Sequence, residues 1–198
     1  MTSARRATRR RVTNETSIDL DVNVDGSGFC SVSTGIPFYD HMLSQVGKHG
    51  GFDLTIAATG DLHIDTHHTV EDVALAFGEA FREALGDKAG VRRFASGLYP
   101  LDESLCEIAL DLSGRPFLVY EVEFPGQKIL SDPPFDPQLI EEFWRAFVTS
   151  AALTLHVTLV RGVNTHHIVE ATFKSVARSL RDAVRVEGGG VPSTKGVL

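Results

Sequence analysis

Two stretches of this chain are near copies. Asp65-Thr66-His67-His68-Thr69-Val70-Glu71 returns 99 positions later as Asn164-Thr165-His166-His167-Ile168-Val169-Glu170, and Arg82 and Ala84 recur in register as Arg181 and Ala183. With only eight His in 198 residues, an HHxxE pattern does not arise twice in register by accident, so the chain contains an internal repeat. Each copy opens a helical pattern, about residues 66–85 and 165–186. On such a helix His67 and Glu71, like His166 and Glu170, lie one turn apart on a single face. A His and a carboxylate so placed are two ligands for a borderline-hard divalent metal. The neighbouring His68 and His167 point about 100° away, so each motif serves two directions. That geometry predicts two metal ions shared between repeats or between subunits.

The rest of the chain fits a fold built twice. Residues 12–24 alternate as a half-buried strand, with 29–33 expected as its hairpin partner. Pro37 opens a short helix to about His49, Gly50-Gly51 ends it, and 52–58 reads as a strand. In the second half, 92–99, 105–112 and 116–124 read as strands. A polar, Pro-rich loop at 125–137 follows, then a helix over 137–152 and a strand over 153–160. The order predicts an α+β fold of two similar fused halves, about 12–88 and 92–187, each a mixed sheet with two helices, in a single domain spanning 12–198. The basic run Arg5–Arg11 is expected to be a solvated and partly frayed N-terminal arm over residues 1–11. The Gly-rich tail after 187 reads as disordered from composition, although Ser193 and Lys195 after Pro192 suit closure over an anion.

Charge and cysteine content narrow the function. A net charge of −7 argues against a general nucleic-acid binder. No apolar run approaches a membrane span or a signal peptide. Two distant cysteines, Cys30 and Cys106, read as reduced thiols in a cytosol, so the protein is expected to be cytoplasmic. HExxH, CxxC, a Walker loop and a GxSxG elbow are all missing, which removes zincins, thiolate metal sites, P-loop enzymes and α/β-hydrolases. His41 and His49 share a face of the short helix and suit the metal site, whereas His63 and His156 read as structural, His156 as buried. Arg93, Arg115, Lys174, Ser193 and Lys195 have the chemistry of a phosphate-monoester pocket. A two-metal phosphohydrolase and a metal-storage bundle also use such ligands.

From Arg11-Val12-Thr13-Asn14-Glu15-Thr16 to Pro192-Ser193-Thr194-Lys195-Gly196 the chain resembles the imidazoleglycerol-phosphate dehydratases of histidine biosynthesis. The most specific segments are Gly35-Ile36-Pro37-Phe38-Tyr39-Asp40-His41-Met42-Leu43, Ala58-Thr59-Gly60-Asp61, both HHxxE motifs and Asp111-Leu112-Ser113-Gly114-Arg115-Pro116. The resemblance implies a ribosomal S5 domain 2-like fold, a 24-subunit shell, and two Mn²⁺ per active site at subunit contacts. It also implies dehydration of imidazole glycerol phosphate to imidazole acetol phosphate through a metal-stabilised imidazolate. Carried over by residue, His41, His67, His68, Glu71, His166, His167 and Glu170 are the implied metal ligands. Glu15, Gln45 and His49 contact substrate, with Glu15, Glu170 and His49 as catalytic candidates. Arg93, Arg115, Lys174, Ser193 and Lys195 hold the phosphate. Glu142 stands where many members carry a ligating His, so a carboxylate is expected to take its place on the metal.

Overall fold

The computed structural model describes residues 5–125 and 130–198. The first half runs β1 (Arg6–Val12), β2 (Thr16–Asn23), β3 (Cys30–Ser33), α1 (Pro37–Gly50), β4 (Asp53–Gly60) and α2 (His67–Leu85). The second repeats it as β5 (Phe94–Leu101), β6 (Ser104–Asp111), β7 (Phe117–Glu121), α3 (Leu139–Ala151), β8 (Thr154–Arg161) and α4 (Thr165–Ala183). The sheets have matching orders, β1-β2-β4-β3 and β5-β6-β8-β7. In each, the last pair is parallel and the others antiparallel. The two-halved α+β architecture is therefore as expected.

Two local expectations are corrected. The basic arm is not frayed: Arg6–Val12 is strand β1, paired along its length with β2. Its outward Arg6 and Arg10 face Asp21 and Asp19 on that neighbour, at 2.9 and 3.7 Å. Residues 1–4 of that arm lie outside the described residues. The segment 29–33 is not the hairpin partner of the strand before it, because β3 pairs in parallel with β4 after the chain has crossed over through α1. Of the Pro-rich loop, 126–129 lie outside the described residues. Farther along it, Phe135 is fully buried, 5.3 Å from Phe38 and 6.0 Å from Tyr39 between ring centres.

The helices fill the space between the sheets, and they pair across the halves: α2 packs on α3, and α1 on α4. Phe147 of α3 meets Phe77 and Phe81 of α2 at 5.0 and 5.7 Å, while Trp144 meets Phe173 of α4 at 4.9 Å. All five rings are fully buried, and each such ring contributes about 3–5 kcal/mol relative to Ala. At the α2–α3 crossing Gly78 is obligatory. A Cβ there would lie 2.0 Å from Ser150 Oγ and 2.6 Å from the Phe147 carbonyl oxygen. Apolar residues from both halves form one continuous core, with the HHxxE motifs at the open ends of α2 and α4.

Candidate metal and active site

Each HHxxE motif is preceded by a side chain that binds its first backbone N–H, the N-cap Asn164 in α4 and Asp65, one residue before the N-cap, in α2. The Asn164 side chain accepts hydrogen bonds from the backbone N–H of His166 and His167, at 2.9 and 3.4 Å. Asp65 accepts from His67 N–H at 2.7 Å. These acceptors satisfy the orphan donors of the first turn, so both His pairs sit at a helix start beside sheet ends.

The first His of each motif faces a helix of the opposite half. On α4, His166 Nε2 lies 3.0 Å from Glu170 Oε2, and His41 Nε2 of α1 lies 3.7 Å from that oxygen. Ligand atoms of His41, His166 and Glu170 all fall within 4.8 Å of one another, which suits one divalent ion. Along α1, Gln45 bridges His41 (3.4 Å) and His49 (3.1 Å), so two of the expected substrate contacts, Gln45 and His49, lie beside His41, whereas Glu15 does not. Lys174 donates to Glu170 Oε1 at 2.6 Å. Burial pushes the Glu170 carboxyl up, but the bond from Lys174 and its charge, with help from His166, leave it below the ordinary range. Burial, then Lys174 and Arg178, push His49 down.

On α2, His67 Nε2 lies 3.7 Å from Glu71 Oε2. Across from it, His67 and Glu142 of α3 line one cleft of about 620 Å³. Counting back from the left-handed caps Gly51 and Ala152, Glu142 occupies in α3 the place of His41 in α1. The sites α1/α4 and α3/α2 are thus pseudo-symmetric, and Glu142 is the one carboxylate that replaces an imidazole. It lies 3.8 Å from Arg145.

The second His of each motif faces elsewhere. His68 Nδ1 lies 2.9 Å from Asp61, and its Nε2 lies 3.8 Å from Glu15. Glu15, Asp61 and His68 form a second group within 4.8 Å. His167 Nδ1 lies 2.7 Å from Glu103, and its Nε2 lies 3.8 Å from Asp102. The bond to Asp61 raises the His68 pKa, and the bond to Glu103 raises that of His167. Glu103 itself is held down to about 2, chiefly by His167 and then by the Asn164 N–H. Glu103 and Asp102 escaped the sequence reading, and Asp61 entered it only as part of a motif. A usable signal existed: Glu103-Ser104 opens β6 as Glu15-Thr16 opens β2.

The expected phosphate pocket divides in two. Arg93, Arg115, Ser193 and Lys195 line one pocket together, closed by the tail 192–198. Arg93 donates to Asp111 at 2.6 and 3.0 Å and to the Pro192 carbonyl at 2.8 Å. Its φ of 75°, rare for a side chain of this size, is held by these bonds. The tail is therefore anchored to the fold through the carbonyls of Gly190 and Pro192, contrary to the reading from composition. Lys174 does not join that pocket; its ammonium pairs with Glu170. His156 is corrected too, being exposed on the outer face of β8 with its ring 6.3 Å from Phe117. Cys106 is buried, and burial pushes its thiol up to about 12.

Residues 34–180 match the imidazoleglycerol-phosphate dehydratase family. The chain belongs to that family. It is 55% identical to the imidazoleglycerol-phosphate dehydratase of Acidothermus cellulolyticus, over 98% of this chain and 93% of the relative. It is 53% identical to that of Gluconobacter oxydans over the full length of both. The crystal structure of the Staphylococcus aureus imidazoleglycerol-phosphate dehydratase superposes with a TM-score of 0.81 at 34% identity, covering 91% of this chain and 99% of that one. This dehydratase is accordingly an enzyme of histidine biosynthesis with its family's two-halved fold. No described helix is long and apolar enough to cross a membrane.

Proposed function

We propose that the enzyme works with two Mn²⁺ ions per active site in the dehydration of imidazole glycerol phosphate to imidazole acetol phosphate. The observation that carries this reading is the paired arrangement of imidazole and carboxylate ligands. His41, His166 and Glu170 gather around one point, and Glu142, His67 and Glu71 occupy the pseudo-symmetric place. His68 and His167, on the other faces of the motifs, complete the ligand set from an adjoining subunit. This donor set of imidazole and carboxylate, with no thiolate, suits manganese. When bound, the ions supply Lewis-acid stabilisation of negative charge on the imidazole ring.

The protein's own residues do the remaining work. The substrate loses a hydroxyl from the carbon beside the ring and a proton from the next carbon, and the two leave as water. Glu170 is engaged by Lys174 and His166, whereas among the described residues the half-exposed Glu15 has only His68 Nε2 at 3.8 Å. Glu15 is therefore the freer proton carrier, and His49, whose pKa is lowered, is available neutral as its partner. Gln45 orients His49. Arg93, Arg115, Ser193 and Lys195 clamp the phosphate away from the reacting carbons, and Lys174 joins them from a neighbouring chain.

Ligand faces that point away from each other in one chain favour a homo-oligomer with the active site at subunit contacts, the 24-subunit shell of the resemblance. The chain is proposed to be cytoplasmic and to act as one domain. The eight strands among the described residues exclude a pure helical storage bundle.

The test is dehydration of imidazole glycerol phosphate by chelator-stripped enzyme, before and after Mn²⁺ is added. Restored formation of imidazole acetol phosphate is the expected result. Full activity in the stripped protein would end the metal reading, and free phosphate as product would mean hydrolysis instead.

A further inference from the structure

His68 and His167 are held alike by unlike parts of the two halves. In the first half the holder is Asp61, which follows β4, with both carboxylate oxygens 2.9 and 3.2 Å from Nδ1. In the second sheet Gly162 lies beside Ser104 and Ile168 as Gly60 lies beside Thr16 and Thr69, so the place of Asp61 falls on the exposed Val163, which has no carboxylate to offer. In the second half the holder is Glu103, from the turn before β6, with Oε2 2.7 Å from Nδ1. Its other oxygen accepts the backbone N–H of Asn164 and Val163 at 2.8 and 3.3 Å, so the carboxylate is itself fixed against the cap of α4. Glu15, just ahead of β2 as Glu103 is of β6, does not hold a ring by Nδ1; it faces Nε2.

Duplication alone would have copied one holder into both halves. Two different holders reaching the same nitrogen point to a requirement at the ring. A carboxylate on Nδ1 fixes the proton there, sets the ring plane, and leaves the Nε2 lone pair free and more basic.

We propose that Asp61 and Glu103 are positioning residues, each fixing the second His of its HHxxE motif so that Nε2 is the atom offered to the metal. The proposal rests on the two-metal reading above. It assigns Asp61 an orienting role although that residue falls within a candidate ligand group, and it gives Glu103 a role outside both groups.

The experiment compares Mn²⁺ binding by equilibrium dialysis of the assembled parent, Glu103→Gln and Asp61→Ala after chelator stripping. In Glu103→Gln the amide oxygen stays with the two backbone N–H groups and turns its NH₂ toward Nδ1. That reverses the tautomer and puts the proton on Nε2. Both variants are expected to bind Mn²⁺ about 10- to 100-fold more weakly yet to reach the parent's metal count at saturation. Turnover is expected to recover in excess Mn²⁺. Parent-like affinity in both would overturn the proposal while leaving the two-metal reading intact. A lower metal count at saturation would make the carboxylate a ligand and overturn it as well. A parent that binds no Mn²⁺ would remove the two-metal reading and this inference together. The variants change different halves, so a fold lost in one leaves the other to decide.

Discussion

The two halves share a topology and differ in what holds it. The first is laced by charge. Asp72 of α2 receives Arg11 of β1 at 2.8 Å and the Thr16 hydroxyl at 2.5 Å, fastening the turn that carries Glu15 to the helix of the first motif. The second half has Tyr99 and Ala171 at the matching places, and its outer sheet face carries the exposed Phe94, Leu98 and Phe117. On the first sheet that outer surface is Arg6, Thr8 and Arg10 against Asp19 and Asp21. A repeated backbone therefore does not oblige a repeated surface. Charge at the first sheet discourages edge-to-edge association, whereas the second offers the kind of apolar face that another copy covers in an assembly.

The largest effect should come from the motifs, where the halves are alike. His68→Ala and His167→Ala are each expected to lower kcat by on the order of a thousandfold, the scale of losing one charge-stabilising group. Steady-state kinetics at saturating Mn²⁺ measures this, and a loss in only one variant would show that the halves contribute unequally. Next comes Asp72→Asn, which leaves Arg11 unpaired in a largely buried setting. The cost should be about 2–3 kcal/mol, or roughly 5–10 °C in melting temperature, since Arg11 is one-third exposed. Ala171→Asn, at the matching place, tests whether the second half tolerates what the first requires.

Arg93→Ala should raise KM about 10- to 100-fold with metal content unchanged. Lys174→Ala should in addition lower kcat, because Glu170 loses its 2.6 Å partner. Equal effects on kcat would break the division between the two cationic sites. The smallest effect is expected at Asp53, which accepts the Ser27 and Phe29 N–H groups at 2.7 and 3.1 Å. These bonds hold its pKa below the ordinary 3.8, led by the Ser27 N–H. A carboxyl lowered in the folded state stabilises above the unfolded value, and that stability is lost as pH falls through the folded one. Asp53→Asn should cost about 1 kcal/mol at neutral pH, with the gap to the parent closing in urea titrations below about pH 4. In the second half the matching contact is Ser113 with Thr154, at 3.1 Å between hydroxyls, which has no such pH dependence.

The long helices and the His positions were legible because the motif occurs twice and its apolar stripe has helical period. β1 was not, since its outward residues are Arg and Thr and its one fully buried side chain is Ala7, leaving no apolar alternation. The partner of β3 was not, because a crossover through α1 leaves no local turn signal. In the site, side chains one helical turn apart followed from spacing. Glu103 lies 64 residues from the His it holds, and only the packing of the β5–β6 turn against α4 joins them. Lys174, two turns beyond His166 on one helix face, was legible as a cation on the metal side, whereas only the folded tail shows that it lies outside the pocket of Arg93.

The crossed pairing of helices also bears on the metal site. Exchanging the halves turns the α1–α4 contact into the α3–α2 contact, so the molecule is close to a twofold object made from one chain. A lone half would leave its helices bare, whereas two copies of it would cover each other. Each half thus does for the other what a second subunit does in a dimer, and one chain supplies both. The cage formed by His41, His166 and Glu170 accordingly lies at the joint between the halves, so any change in how they dock against each other changes the spacing of those three ligands.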